Sequence, residues 1–347
     1  MSIAKPATLR LGSRAASKRA SRAMGASRRT VMSAADDKFA NYTPKIGILF
    51  PGQGAQSVGM AKEVCEKSAA AKGLFEQASD ILGYDLLKVC TDGPTEKLDS
   101  TAVSQPAIYV ASFAALELLK EMEGDVQPDV AAGLSLGEYT ALAYAGAMSF
   151  EDGLKLVQIR GESMQAAADL TPSGMCSIIG LDSDVVERIC AKASEMVGQE
   201  GAIKLANYLC PGNYAVSGSI EACDAVDAIA KPEFKARMTV RLKVAGAFHT
   251  DFMAPAAEKL QEALANTAIV EPRIPVVSNV DATPHSDPEV IKAILVKQLT
   301  SPVLWEKTLV TLQEKGMEKA YEVGPNKVIS GIFKRIDKKF PITNITV

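Results

Sequence analysis

Apolar and polar positions along most of the chain fall into blocks that alternate between strand-like and helix-like periods. Residues 45–50 form a short apolar run stopped by Pro51 and Gly52, the pattern of a buried strand entering a turn. Helical patterns cover 61–82 and 105–122, with apolar positions on one face. Residues 129–133 predict a second buried strand, and 137–146, rich in Ala and Leu, predict a helix. Strands alternating with helices predict a mainly parallel sheet.

The rhythm changes in the middle of the chain. Residues 175–180, 203–208, 214–218 and 238–244 read as strands, with helical patterns at 183–196 and 220–230. The order is β-α-β-β-α-β, a ferredoxin-like pattern. A strand at 274–279, a helix at 288–299 and a strand at 319–323 then return to the first rhythm. The expected fold class is α/β: a hydrolase-like parallel-sheet core built from 44–172 and 244–347, with a ferredoxin-like subdomain inserted at 173–243.

Charge separates the first 34 of the 347 residues from the rest. They hold eight basic side chains, six serines and no acid. An Arg-rich, Ser-rich, acid-poor N-terminus predicts an organelle transit peptide, the alternative being a basic arm that binds nucleic acid. Beyond it, 30 basic side chains face 41 acidic ones, a net charge of −11. An acidic body argues against nucleic-acid binding. The longest apolar stretch, 130–150, contains Ser135 and Glu138, which argues against a membrane span.

Composition narrows the chemistry further. The chain has two histidines, His249 and His285, too few for a multi-histidine metal centre. Its six cysteines are at least 13 positions apart, so no C-x-x-C exists. No metal is expected.

The sharpest local signal is Gly133-Leu134-Ser135-Leu136-Gly137, between a predicted strand and a predicted helix. That is the context of a G-x-S-x-G nucleophile elbow. It predicts Ser135 as a nucleophile at a helix N-terminus, where the dipole favours a developing anion. A serine nucleophile needs a base. His285 lies in a polar, proline-flanked loop and reads as an exposed surface residue. His249 follows the subdomain's last strand among small residues and is the favoured base. The loop Pro51-Gly52-Gln53-Gly54 lacks the third glycine of a dinucleotide fingerprint. Its better role is to supply an oxyanion donor from the Gln53 N–H beside that of Leu136. Arg160, on an otherwise apolar helical stretch, is either a snorkelling surface residue or a clamp for a substrate carboxylate.

Several motifs occur together and in order: residues 50–56 (FPGQGAQ), 133–139 (GLSLGEY), 160–165 (RGESMQ), Ala247-Phe248-His249, Ser278-Asn279-Val280, Lys297-Gln298-Leu299 and 322–325 (EVGP). In this the chain resembles the malonyl-CoA:acyl carrier protein transacylases from about Lys45 to Arg335. The resemblance implies ping-pong transfer of malonyl from coenzyme A, through a malonyl-serine at Ser135, to the phosphopantetheine thiol of acyl carrier protein, in support of fatty acid synthesis. It implies that Arg160 pairs with the malonyl carboxylate and that the Gln298 carbonyl orients His249. It also implies that Phe248 disfavours a methyl branch and that Asn279 binds substrate. No cofactor is expected, and the enzyme is expected to be a monomer. Bacterial members usually carry histidine where this chain has Leu134; leucine resembles the plant and algal plastid form. A plastid stroma is therefore expected, the mitochondrial matrix being the alternative. The basic cluster Lys334, Arg335, Lys338 and Lys339 could dock the acidic carrier.

Overall fold

The computed structural model of the chain describes residues 38–347, so the transit-peptide expectation lies outside the described residues. The described residues form one compact unit containing two sheets. Strands β1 (Ile46–Phe50), β2 (Val130–Gly133), β7 (Val276–Val277), β8 (Lys319–Gly324) and β9 (Ile342–Thr346) form the first. Its order is β7-β2-β1-β8-β9, and every pairing is parallel. β1 and β2 lie inside this sheet and carry no polar side chain, as strands covered on both faces require. Strands β3 (Ser173–Ile179), β4 (Ile203–Cys210), β5 (Asn213–Ser219) and β6 (Met238–Arg241) form an antiparallel sheet of order β4-β5-β3-β6. The fold class is thus the expected one: a parallel core with a small ferredoxin-like sheet.

Local chemistry moves some boundaries. The single helix expected over 61–82 is two, Lys62–Lys67 and Ala69–Leu82. Ser68 breaks it, because its side chain accepts from the Ala71 N–H and caps the second helix. The strand expected over 274–279 pairs only at Val276–Val277, since the chain then turns inward to the site. β9 was not legible in the sequence: Ile342–Thr346 alternates as a half-exposed edge strand.

The helix Thr101–Glu123 is the one among the described residues long and apolar enough to span a bilayer, rather than the 130–150 stretch. Within its apolar window, 72% is buried inside the protein, where it packs along the helix Phe150–Leu170 and the parallel sheet. A core helix passes the same hydropathy test as a membrane span because both are surrounded by apolar groups.

Candidate active site

The site lies at the carboxyl ends of β1, β2 and β7, where open parallel sheets place their ligands. β2 runs into the helix Leu136–Tyr144 with Ser135 at the junction. Ser135 has φ 53° and ψ −103°, a conformation that costs an L-residue about 1–3 kcal/mol. The flanking glycines are dictated by distance. A Cβ on Gly133 would lie 1.9 Å from the carbonyl carbon of Gly137, and one on Gly137 would lie 2.2 Å from the Phe50 oxygen. The strain is held by Asn279, whose Oδ1 accepts from the Ser135 N–H at 2.6 Å and whose Nδ2 donates to the Gly133 carbonyl at 2.7 Å.

His249 also has a positive φ, 62°. Its Nε2 lies 2.9 Å from Ser135 Oγ and its Nδ1 lies 2.8 Å from the Gln298 carbonyl. A carbonyl only accepts, so Nδ1 carries the proton and Nε2 presents its lone pair to the serine hydroxyl. Burial, then the nearby Arg160 charge, push the imidazole down to about 4, against the opposing pull of the Gln298 carbonyl. At neutral pH it is an unprotonated base.

Arg160 is buried, at 1% exposure, which overturns the snorkelling alternative. Nη2 donates to Ser135 Oγ and to Gln298 Oε1, each at 3.0 Å, and Nη1 donates to Gln105 Oε1 at 2.7 Å. The guanidinium carbon lies 5.3 Å from the centre of the Tyr139 ring. Nε is buried without a hydrogen-bond partner. A charge buried this way, with no carboxylate bonded to it, is suited to receive an anion.

The remaining predicted residues fall into place unevenly. A Cβ on Gly52 would lie 2.3 Å from the Leu134 carbonyl, so the Pro51–Gly54 loop presses directly on the elbow and brings half-buried Gln53 beside it. Leu136 is the first residue of its helix, where an N–H has no intrahelical acceptor. Gln298 is fully buried and bonds to both the histidine and the arginine. Phe248 packs in the large apolar cluster next to His249.

Two expectations need correction. Asn279 was expected to bind substrate, but its side chain is fully buried and both of its ends bond to the elbow backbone. His285 was expected to be an exposed surface residue; its side chain is only 12% exposed and bonds to Asp281 at 2.9 Å. In the basic cluster, Arg335 donates to the Gly212 carbonyl at 3.2 Å, while Lys334, Lys338 and Lys339 are exposed. Two residues escaped sequence reading. Glu138 looked like an interruption of an apolar stretch, and Gln105 like a helix-start residue before Pro106. Their signal is the same: a polar side chain on a stretch too apolar to face water.

A neutral histidine on a serine hydroxyl at a strained strand-to-helix turn is the arrangement that acyl chemistry through a serine requires. Residues 48–338 match the acyl transferase domain. The chain is 39% identical over 295 residues to a malonyl CoA-acyl carrier protein transacylase of Bacillus subtilis, covering 85% of this chain and 91% of that one. It is 41% identical over 298 residues to a mitochondrial malonyl-CoA-acyl carrier protein transacylase of mouse, covering 83% and 77%. The solved malonyl CoA-acyl carrier protein transacylase of Coxiella burnetii superposes with a TM-score of 0.83 at 37% identity, covering 88% and 95%. The chain belongs to the acyl transferase domain family and, within it, to the malonyl-CoA-acyl carrier protein transacylases.

Proposed function

We propose that Ser135 carries the malonyl group that this acyltransferase moves from malonyl-CoA to acyl carrier protein. The observation that supports it most is the 2.9 Å approach of Ser135 Oγ to a His249 whose tautomer is fixed from behind by Gln298. Oγ attacks the thioester carbonyl while Nε2 takes its proton. The tetrahedral oxyanion is received by the N–H groups of Gln53 and Leu136. Collapse breaks the C–S bond, and the imidazolium gives the proton to the departing coenzyme A thiolate. The phosphopantetheine thiol of the carrier then gives its proton to Nε2 and attacks the malonyl-serine; collapse breaks the ester C–O bond, and Nε2 returns the proton to the serine oxygen. No cofactor is needed, because proton transfer and oxyanion stabilisation are both supplied by the chain.

Arg160 holds the malonyl carboxylate, so acetyl-CoA, which lacks that group, loads less well. Phe248 crowds a methyl branch and favours malonyl over methylmalonyl. The enzyme acts as a monomer in the plastid stroma, a placement supported by the Arg-rich N-terminus and by Leu134, which packs in an apolar cluster with Val277 and Trp305. Import of the tagged full chain into isolated chloroplasts but not mitochondria tests the placement; the reverse result would move it to the matrix.

Intact-mass measurement after mixing with malonyl-CoA tests the chemistry. The expected result is one malonyl adduct, lost in Ser135→Ala and discharged by holo acyl carrier protein. Release of free malonate faster than transfer would make the protein a thioesterase instead.

A further inference from the structure

Glu138 lies one turn behind the nucleophile and is 3% exposed. Its Oε2 accepts from the Asn279 N–H at 3.0 Å and from Gln298 Nε2 at 2.7 Å. The same Nε2 donates to the Ser135 carbonyl at 3.1 Å, while Gln298 Oε1 accepts from Arg160 at 3.0 Å. One amide therefore touches the nucleophile's backbone and the guanidinium at once. Rotated by half a turn, it would set its oxygen against a carboxylate and a carbonyl, and its NH2 against a guanidinium. All three contacts would then be repulsive. The group that most strongly forbids the rotation is the carboxylate, because an ionised carboxylate can only accept.

We propose that Glu138 is a positioning residue: its carboxylate locks the Gln298 amide in the one orientation that aims an acceptor at Arg160 and a donor at the Ser135 carbonyl. This inference rests on the roles given above to Ser135 and Arg160. It carries a consequence for pH. Protonated, Glu138 keeps an oxygen that accepts but loses the charge that most strongly opposes rotation of the amide, and the lock weakens. Burial pushes its carboxyl up to about 7, against the opposing pull of the Asn279 N–H and the Gln298 amide. Two charged groups face it from other elements. Arg160, on the helix Phe150–Leu170, favours the ionised form; Asp281, on the loop after β7 and itself bonded to His285, disfavours it. From its own helix the neighbour is the neutral phenol of Tyr139. His249, held near 4, cannot supply a titration at neutral pH.

The test compares pre-steady-state loading of the wild type, Glu138→Gln and Glu138→Ala from about pH 5.5 to 8.5. Glutamine can keep both accepted hydrogen bonds through its amide oxygen and lacks only the charge. In the wild type, KM for malonyl-CoA should rise up to about tenfold per pH unit below neutrality, the slope of a single ionisation. Acetyl-CoA, which has no carboxylate for Arg160, should show a smaller limb, arising from the contacts to Ser135 alone. Glu138→Gln should show no limb with either thioester. Glu138→Ala should load malonyl about tenfold more slowly or worse at every pH, as loss of a hydrogen bond to a charged group implies, and Glu138→Gln should restore part of that loss. A wild-type profile flat through neutrality overturns the proposal. So does a limb retained in Glu138→Gln or equally steep with acetyl-CoA, or a Glu138→Ala enzyme that loads like the wild type. Absence of any adduct on wild-type Ser135 would instead overturn the nucleophile assignment, and this inference with it.

Discussion

The core of the small sheet and the carboxyl ends of the parallel sheet bury opposite kinds of residue. Between the helices and the small antiparallel sheet the interior is Cys176, Ile178, Val186, Ile189, Val216, Cys223 and Val226, and the ion pairs of Arg241 with Asp224 and Asp227 stay at its partly exposed rim. At the carboxyl ends of the parallel sheet the interior holds Gln105, Glu138, Arg160, His249, Asn279 and Gln298, bonded to one another and to the elbow. Burying polar groups costs free energy unless each finds a partner, and a partly satisfied network is worse than an apolar core. A protein accepts that cost where orientation matters more than stability. The small sheet shows what the fold does when it only needs to hold together.

The comparison breaks most visibly at the base. His249→Ala should slow malonyl loading by about 10³-fold or more at neutral pH, since nothing else among the groups bonded to Ser135 Oγ can take its proton. Stopped-flow loading with a circular-dichroism check of the fold would show it. Next comes Arg160→Ala. Losing a charge-assisted contact of about 1.5–3 kcal/mol should cost malonyl loading roughly 10–100-fold and raise relative acetyl loading. Unchanged selectivity, measured with the two thioesters in competition, would remove Arg160 from the clamp role. In the small sheet the sign of the comparison reverses. Ile178→Ala, at a fully buried position of β3, should lower the free energy of unfolding in urea by about 2–5 kcal/mol, yet leave loading per folded molecule near wild type. The smallest effect belongs to His285→Ala, which removes only a partly exposed pair with Asp281. Loading within about twofold of wild type is expected, as for other changes to exposed pairs; a larger loss would extend the catalytic network to this loop.

How much of the site was legible follows from how local each signal is. The elbow was legible because its two glycines and serine fall within five consecutive residues between a strand pattern and a helix pattern, although the demand on Gly137 comes from Phe50. His249 was legible because the chain offers only two histidines. Asn279 was visible as part of a motif but assigned the wrong task. It is 144 positions from Ser135 in sequence, and only the closure of β7 against β2 shows that it bonds to backbone. Glu138 and Gln105 sit within apolar helices, where a single sequence cannot tell a polar residue facing solvent from one facing a buried partner.

The sequence by itself determined the layered α/β plan and the family, and singled out Ser135 and His249 as candidates, because periodicity, glycine spacing and ordered motifs are properties of neighbouring residues. Tertiary structure alone decided the rest. Arg160 is an internal charge, Gln298 bonds to both His249 and Arg160, and Glu138 accepts from the Gln298 amide. Each of these depends on hydrogen bonds between residues 25 to 163 positions apart. Whether a polar group is stabilising or ruinous inside a protein depends on the partner it meets there, and the partner is chosen by the fold.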